Sequence, residues 1–113
     1  MGTPRSERAA RIRTLNDAFR ATFSGGQVLM TSGVDALPDM VKATALRMVT
    51  AFSAFDQEND PHGEHDFGAF ELCGRRLFWK IDYYDTDCRF GSEDPSDAAN
   101  TTRVLTIMLA SEY

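Results

Sequence analysis

The sequence predicts an α+β domain, with a small, largely antiparallel sheet of three to four strands covered on one face by two to three helices. Three observations carry that expectation. Residues 6–23 and 38–54 repeat apolar side chains every three or four positions, as helices lying on a core do. Two runs flanking Gly74-Arg75 have the composition of paired strands. Between the helical and strand parts lies a polar stretch, Asp56 to Asp66, with no apolar side chain to bury except Pro61, which reads as a surface loop.

In the first helix Ile12, Leu15, Phe19 and Phe23 form the stripe. Pro4 and Ser6 suit its start, and Gly25-Gly26 supplies the left-handed geometry that ends it. Residues 27–31 read as a short strand before the turn Ser32-Gly33. The second helix takes Pro38 into its first turn and aligns Val41, Ala45, Met48, Val49 and Phe52. A two-residue type II′ turn at Gly74-Arg75 pairs Leu72 with Leu77, Phe70 with Trp79 and Gly68 with Ile81 on one apolar face. The same register sets Asp66 opposite Tyr83 and leaves Phe67 and Phe78 on the wetter face, either under a loop or at a contact with another chain. After the turn Asp85-Thr86-Asp87, residues 88–92 are expected to add a third antiparallel strand. For residues 100–113 strand and helix compete; the shared side of Val104, Ile107 and Met108 and the capping residues Asn100 and Thr101 favour helix. The expected core is Ile12, Leu15, Phe19, Val41, Met48, Phe52, Phe70, Leu72, Trp79, Ile81, Val104 and Met108, with Arg103 outside it.

At 113 residues and 42% hydrophobic content, the chain is read as a single domain spanning 1–113. Five arginines and no apolar run in the first twenty residues fit neither a signal peptide nor a membrane span, so a cytoplasmic location is expected. The net charge of -5 is uneven: residues 1–20 carry five arginines against Glu7 and Asp17, whereas residues 56–97 carry twelve acids against four bases. Arg11, Arg13 and Arg20 have acidic neighbours at helical spacing, which makes direct nucleic-acid binding an unfavoured reading. Cys73 and Cys88 fall at opposite ends of a strand, about 26 Å apart at ordinary strand rise, beyond disulfide reach; both are expected as reduced thiols.

The chemistry-bearing cluster is His62, Glu64, His65 and Asp66. Two imidazoles and a carboxylate can fill three positions around a divalent metal, zinc or manganese, and leave a fourth to water. His62, His65 and Asp66 are the candidate ligands, and Glu64 the base for a metal-bound water. The zinc-protease, calcium-hand, phosphate-loop and dinucleotide patterns are all absent. Against the metal reading stands one without a cofactor, in which His62 or His65 hydrogen-bonds a carboxylate or carbonyl and holds the loop onto the sheet. A second cluster, Asp82, Tyr83, Tyr84 and Asp85, reads either as part of a composite binding surface with Glu64 and Asp66 or as an ordinary hairpin edge.

The runs Arg13-Thr14-Leu15-Asn16-Asp17-Ala18-Phe19-Arg20, Asn59-Asp60-Pro61-His62-Gly63-Glu64-His65-Asp66-Phe67-Gly68, Phe78-Trp79-Lys80-Ile81-Asp82-Tyr83-Tyr84-Asp85 and Arg103-Val104-Leu105-Thr106-Ile107-Met108-Leu109-Ala110 together resemble a bacterial family, domain of unknown function 3768. The resemblance supplies no catalytic residue. It implies a setting on plasmids and integrated mobile elements, beside antirestriction-like genes, and with it a small acidic protein that binds and blocks a host defence complex. Three functional expectations follow. The first is a non-enzymatic protein-binding role, without cofactor, through Glu64, Asp66, Asp82, Tyr83, Tyr84 and Asp85; the second is a metal-dependent hydrolase or nuclease on His62, Glu64, His65 and Asp66. The third is a homodimer that buries Phe67, Phe78 and Tyr84 across a two-fold interface.

Overall fold

A computed structural model describes residues 4–113. Helix α1 (Pro4–Thr22) leads into strand β1 (Gly26–Met30), a single helical turn α2 (Ser32–Asp35) and helix α3 (Asp39–Ala51). The loop of residues 52–66 follows, then strands β2 (Phe67–Leu72) and β3 (Arg75–Tyr84), a 3-10 turn (Ala98–Asn100), strand β4 (Thr102–Leu109) and a closing 3-10 turn (Ala110–Glu112). The sheet order is β1-β4-β3-β2; β4 runs antiparallel to β3 and parallel to β1, so the sheet is mixed. No helix among the described residues is long and apolar enough to cross a membrane.

One face of the sheet packs against the helices. Phe19 of α1, Val34 of α2 and Ala45 and Val49 of α3 close over Phe70, Leu77, Trp79, Ile81, Leu105 and Ile107. Trp79 lies at the centre, edge-on to Phe52 at 5.5 Å and Phe55 at 6.1 Å between ring centroids. Its indole sits on Gly68, where any side chain would collide with the ring. Seven of the expected core residues are buried: Ile12, Phe19, Phe70, Trp79, Ile81, Val104 and Met108. Leu15, Val41, Met48, Phe52 and Leu72 are half-buried.

Four expectations are corrected. Residues 102–109 form the strand β4, not a helix. This strand lies inside the sheet between β1 and β3, and Val104 and Met108 on one face and Leu105 and Ile107 on the other are all buried, so the strand reads as a near-continuous apolar run. Arg103 is buried, at 5% exposure, because it enters the sheet with that strand and finds polar partners inside. The hairpin turns at Cys73-Gly74, where φ is +53° and +74°, the geometry of a type I′ turn. The pairing therefore becomes Leu72 with Arg75, Phe70 with Leu77 and Gly68 with Trp79. This is a shift of two residues, so every side chain keeps its face. Residues 88–92 make only an isolated bridge, Tyr84 to Gly91, instead of a strand.

Smaller differences have local causes. Phe23, at φ +58°, and Gly25, at φ +88°, take the left-handed positions after α1, while Gly26 already belongs to β1. Ser32 and Gly33 open the short helix α2. Helix α3 ends at Ala51, where Arg20 takes its terminal carbonyls. Phe67 and Phe78 pack on each other at 5.2 Å and under the ring of Tyr113, which answers the question their wet-face position raised.

Candidate functional site

The loop of residues 56–66 is built from short polar turns. Asp56 Oδ1 accepts from the backbone N–H of Glu58 and Asn59, at 2.8 and 2.9 Å. Asp60, only 8% exposed, accepts at Oδ1 from the N–H of Glu64 and of His65, both at 3.1 Å. That grip holds His65 at φ +55° and lays its ring flat on Phe55, 3.8 Å between centroids and 4° from parallel. Its Nδ1 lies 2.9 Å from Asp17 Oδ1 and its Nε2 lies 3.7 Å from Asp60 Oδ2. Asp17 Oδ1 also accepts from Arg20 at 3.2 Å, and Arg13 donates to the Gly63 carbonyl at 2.9 Å. The loop is thus fastened to α1, with His65 between two carboxylates.

Beside it is a buried polar network centred on Asn16, which has no exposed surface. Asn16 Nδ2 donates to the Glu64 carbonyl at 3.0 Å and to the Tyr83 hydroxyl at 2.8 Å, while its Oδ1 accepts from Arg103 Nε at 2.7 Å. Tyr83 in turn donates to the Glu64 carboxylate at 2.8 Å. Arg103 also donates to the Pro95 carbonyl and lies over the Tyr83 ring, 5.3 Å from its centroid. Burial pushes the Tyr83 hydroxyl well above its usual range; the Asn16 hydrogen bond opposes this and the one to Glu64 reinforces it. Burial lowers the affinity of Arg103 for its proton, against the neighbouring Tyr83 and Glu64. A guanidinium remains charged under that pressure.

The residues singled out in the sequence thus fall in three places. Glu64, His65 and Tyr83 point inward and are held by α1 or by one another. His62 is exposed at the loop tip, beside Arg8 and Arg13 in a shallow cleft. Asp82 and Tyr84 lie on the open face of the sheet, and Asp85 caps the next turn by accepting from Arg89 N–H at 3.0 Å. Among the described residues, no group of three or more His, Cys, Asp and Glu side chains stands where it could hold a metal ion. Asp66 faces Ile81 rather than Tyr83, accepting at its carbonyl from Ile81 N–H at 2.8 Å.

Burial, with the charge of Glu64 adding to it, pushes the Asp66 carboxyl above its usual range. A carboxyl that holds its proton more tightly in the folded chain than in the unfolded one opposes folding as pH rises through and past the ordinary aspartate range. Asp66→Asn is therefore expected to raise the thermal midpoint at neutral pH and to leave it unchanged in acid, below that range. Melting curves at the two pH values check this, and a lower midpoint at neutral pH would show that the charge is needed.

Four participants were not foreseen as such: Asn16, Asp17, Arg20 and Arg103. The signal for Asn16 was its position, four residues after Ile12 and three before Phe19, on the buried stripe of α1. A model of the family described as "Protein of unknown function (DUF3768)" matches residues 30–112. The chain belongs to the DUF3768 family. No curated protein and no solved structure matches it. The DUF3768 match includes Glu64, His65, Tyr83 and Arg103, whereas Asn16, Asp17 and Arg20 lie on α1, before it begins.

The other face of the DUF3768 sheet carries no α-helix among the described residues. It forms an open groove of about 660 Å³ floored by Leu29, Thr106, Lys80, Asp82 and Tyr84. Lys80 and Asp82, neighbours along one face of β3, pair at 2.8 Å, both 38% exposed, and that contact raises the Lys80 pKa. At the end of the groove a second cleft, about 470 Å³, is lined by Asp85, Glu93, Asp94 and Asp97 beside Phe90, which is 73% exposed.

Proposed function

We propose that this DUF3768 protein is a non-enzymatic, cytoplasmic binding protein of mobile genetic elements, which captures a basic, nucleic-acid-binding protein of the host or of its defence system. The observation that carries the reading is the division of its polar residues. His65, Glu64 and Tyr83 are engaged by the protein's own groups, while Asp82, Tyr84, Asp85, Asp87 and Glu93 lie around open surfaces next to an exposed aromatic ring. A predominantly acidic surface of this kind, in which Lys80 pairs with Asp82 and Arg8 with Asp94, attracts a basic partner, raising on-rate and specificity more than affinity. The basic end of α1 supports the same choice against direct nucleic-acid binding. Arg8 pairs with Asp94, Arg13 is held by the loop, and Arg20 is buried.

Affinity capture from host lysate tests it, comparing the wild-type chain with the combined Asp82→Lys, Asp87→Lys and Glu93→Lys variant at low and high salt. None of the three carboxylates accepts a backbone hydrogen bond among the described residues, so the fold is expected to survive. A basic protein recovered by the wild type at low salt and lost by the variant supports the reading; equal recovery by both overturns it. Elemental analysis after dialysis against zinc or manganese adds a second arm. One equivalent of metal, abolished by His62→Ala with His65→Ala, would replace binding by the metal-dependent hydrolase.

A further inference from the structure

We infer that β1 is a self-association edge, and that two copies of this chain pair antiparallel through it, centred on Val28, to make one continuous eight-stranded sheet. Among the described residues, strand β1 is hydrogen-bonded to a strand on one side only, to β4. Thr31 N–H donates to the Ile107 carbonyl at 3.1 Å, and this fixes the phase of the ladder. In a parallel pair, N–H and C=O of alternate residues point to the same neighbour. The groups of Gln27, Leu29 and Thr31 thus face β4, and those of Gly26, Val28 and Met30 face outward. Among the described residues, no hydrogen bond satisfies Val28 or Met30 on that side.

An open edge is normally blunted by charge, proline or a bulge, because its unpaired groups template another strand. The sequence Gly26-Gln27-Val28-Leu29-Met30 has none of these devices, and Leu29 is 49% exposed on it. The opposite edge differs, since β2 carries Glu71 and is bordered by the segment after α3. What an unpaired row of N–H and C=O groups fits is an extended strand. The occupant is a second β1 because the strand is complementary to itself. With Val28 on the two-fold axis, outward-facing Val28 meets Val28 of the second copy and Gly26 meets Met30. Each of these is a hydrogen-bonded pair. Gln27 then lies opposite Leu29 on the open face, and no like charges meet although the chain carries a net charge of -5. This differs from a dimer through Phe67 and Phe78, which Tyr113 of the same chain already covers.

Sedimentation of the purified chain over a wide concentration range, into the millimolar, tests the pairing. A reversible monomer–dimer equilibrium is expected. Val28→Pro removes one outward N–H and no bond to β4, a place where a strand tolerates proline, and is expected to give a folded monomer. Two further variants read the register without proline. Gln27→Lys with Leu29→Glu sets opposite charges across the axis, and Gln27→Glu with Leu29→Glu sets like charges there. At low salt the first is expected to dimerise at least tenfold more tightly than the second, with the difference shrinking at high salt. A wild-type chain that stays monomeric overturns the inference, as does a dimer that Val28→Pro leaves intact or a charge pair that makes no difference. A monomer whose Val28 amide becomes protected from exchange only when another protein is added would give the edge to a foreign strand, and would overturn self-pairing too.

Discussion

Arg20→Ala is expected to remove about 3 to 5 kcal/mol of folding free energy, the cost associated with breaking a buried, hydrogen-bonded charge. Arg20 is 5% exposed and donates to two carbonyls at the end of α3, Val49 and Phe52, each at 2.8 Å. Its guanidinium also lies 5.0 Å from the centroid of Trp79 and 5.3 Å from that of Phe55. Alanine would leave the Phe52 carbonyl without a donor and the Val49 carbonyl with only the Phe52 N–H at 3.3 Å, open a cavity beside Trp79 and free the Phe55 ring on which His65 rests. The orphaned Phe52 carbonyl costs about 1 to 3 kcal/mol and each lost cation–π contact about 0.5 to 2 kcal/mol, so the total does not depend on one interaction. Asp17 weighs less, because it is 44% exposed and keeps His65 as a partner. Arg20→Lys tests the geometry: a point charge cannot span both carbonyls and Asp17 as a planar fork does, and a loss of about 2 kcal/mol is expected. Urea unfolding measures both variants, and an alanine loss below about 1 kcal/mol would remove Arg20 from the account of what holds α1 to α3.

What the sequence could show depended on how local its determinants were. The hairpin was legible because alternation assigns faces, and the type I′ turn changed the register by two without moving Phe70, Trp79 or Ile81 off the core face. The turn itself was not legible, since it needed Cys73 in the left-handed region, which composition would have assigned to Gly74 alone. Strand β4 was misread because Val104, Ile107 and Met108 fit helical spacing as well as a strand buried on both faces; the decision came from β1 and β3 on either side of it. The same holds for the site. The polar loop was visible, and so was a histidine tied to a carboxylate, but the carboxylate is Asp17 on α1, 48 positions away. Tyr83 and Tyr84 looked like one patch and lie on opposite faces, because adjacent strand residues must.

The second large effect concerns Asn16 and Arg103, 87 positions apart and bonded at 2.7 Å. Asn16→Leu is expected to cost about 2 to 4 kcal/mol, since it leaves Arg103 Nε in a dry site without a partner, takes the donor from the Glu64 carbonyl and reduces the Tyr83 hydroxyl to its one bond with the Glu64 carboxylate. Arg103→Met is expected to cost a similar amount, by orphaning Asn16 Oδ1 and the Pro95 carbonyl. The double variant should cost less than the two added together, with a coupling of about 1 to 3 kcal/mol, because removing both ends replaces a buried polar pair by apolar contact. Urea unfolding of the four chains gives that number directly. It also locates the joint between α1 and the residues of the family match, for Asn16 lies before residue 30 and Arg103, Tyr83 and Glu64 lie after it. A coupling in the expected range means that α1 is held by a specific polar clamp and that the match describes a part completed by this helix. A coupling near zero means that the apolar stripe of Ile12 and Phe19 holds α1 by itself, with the network only filling the space beneath it.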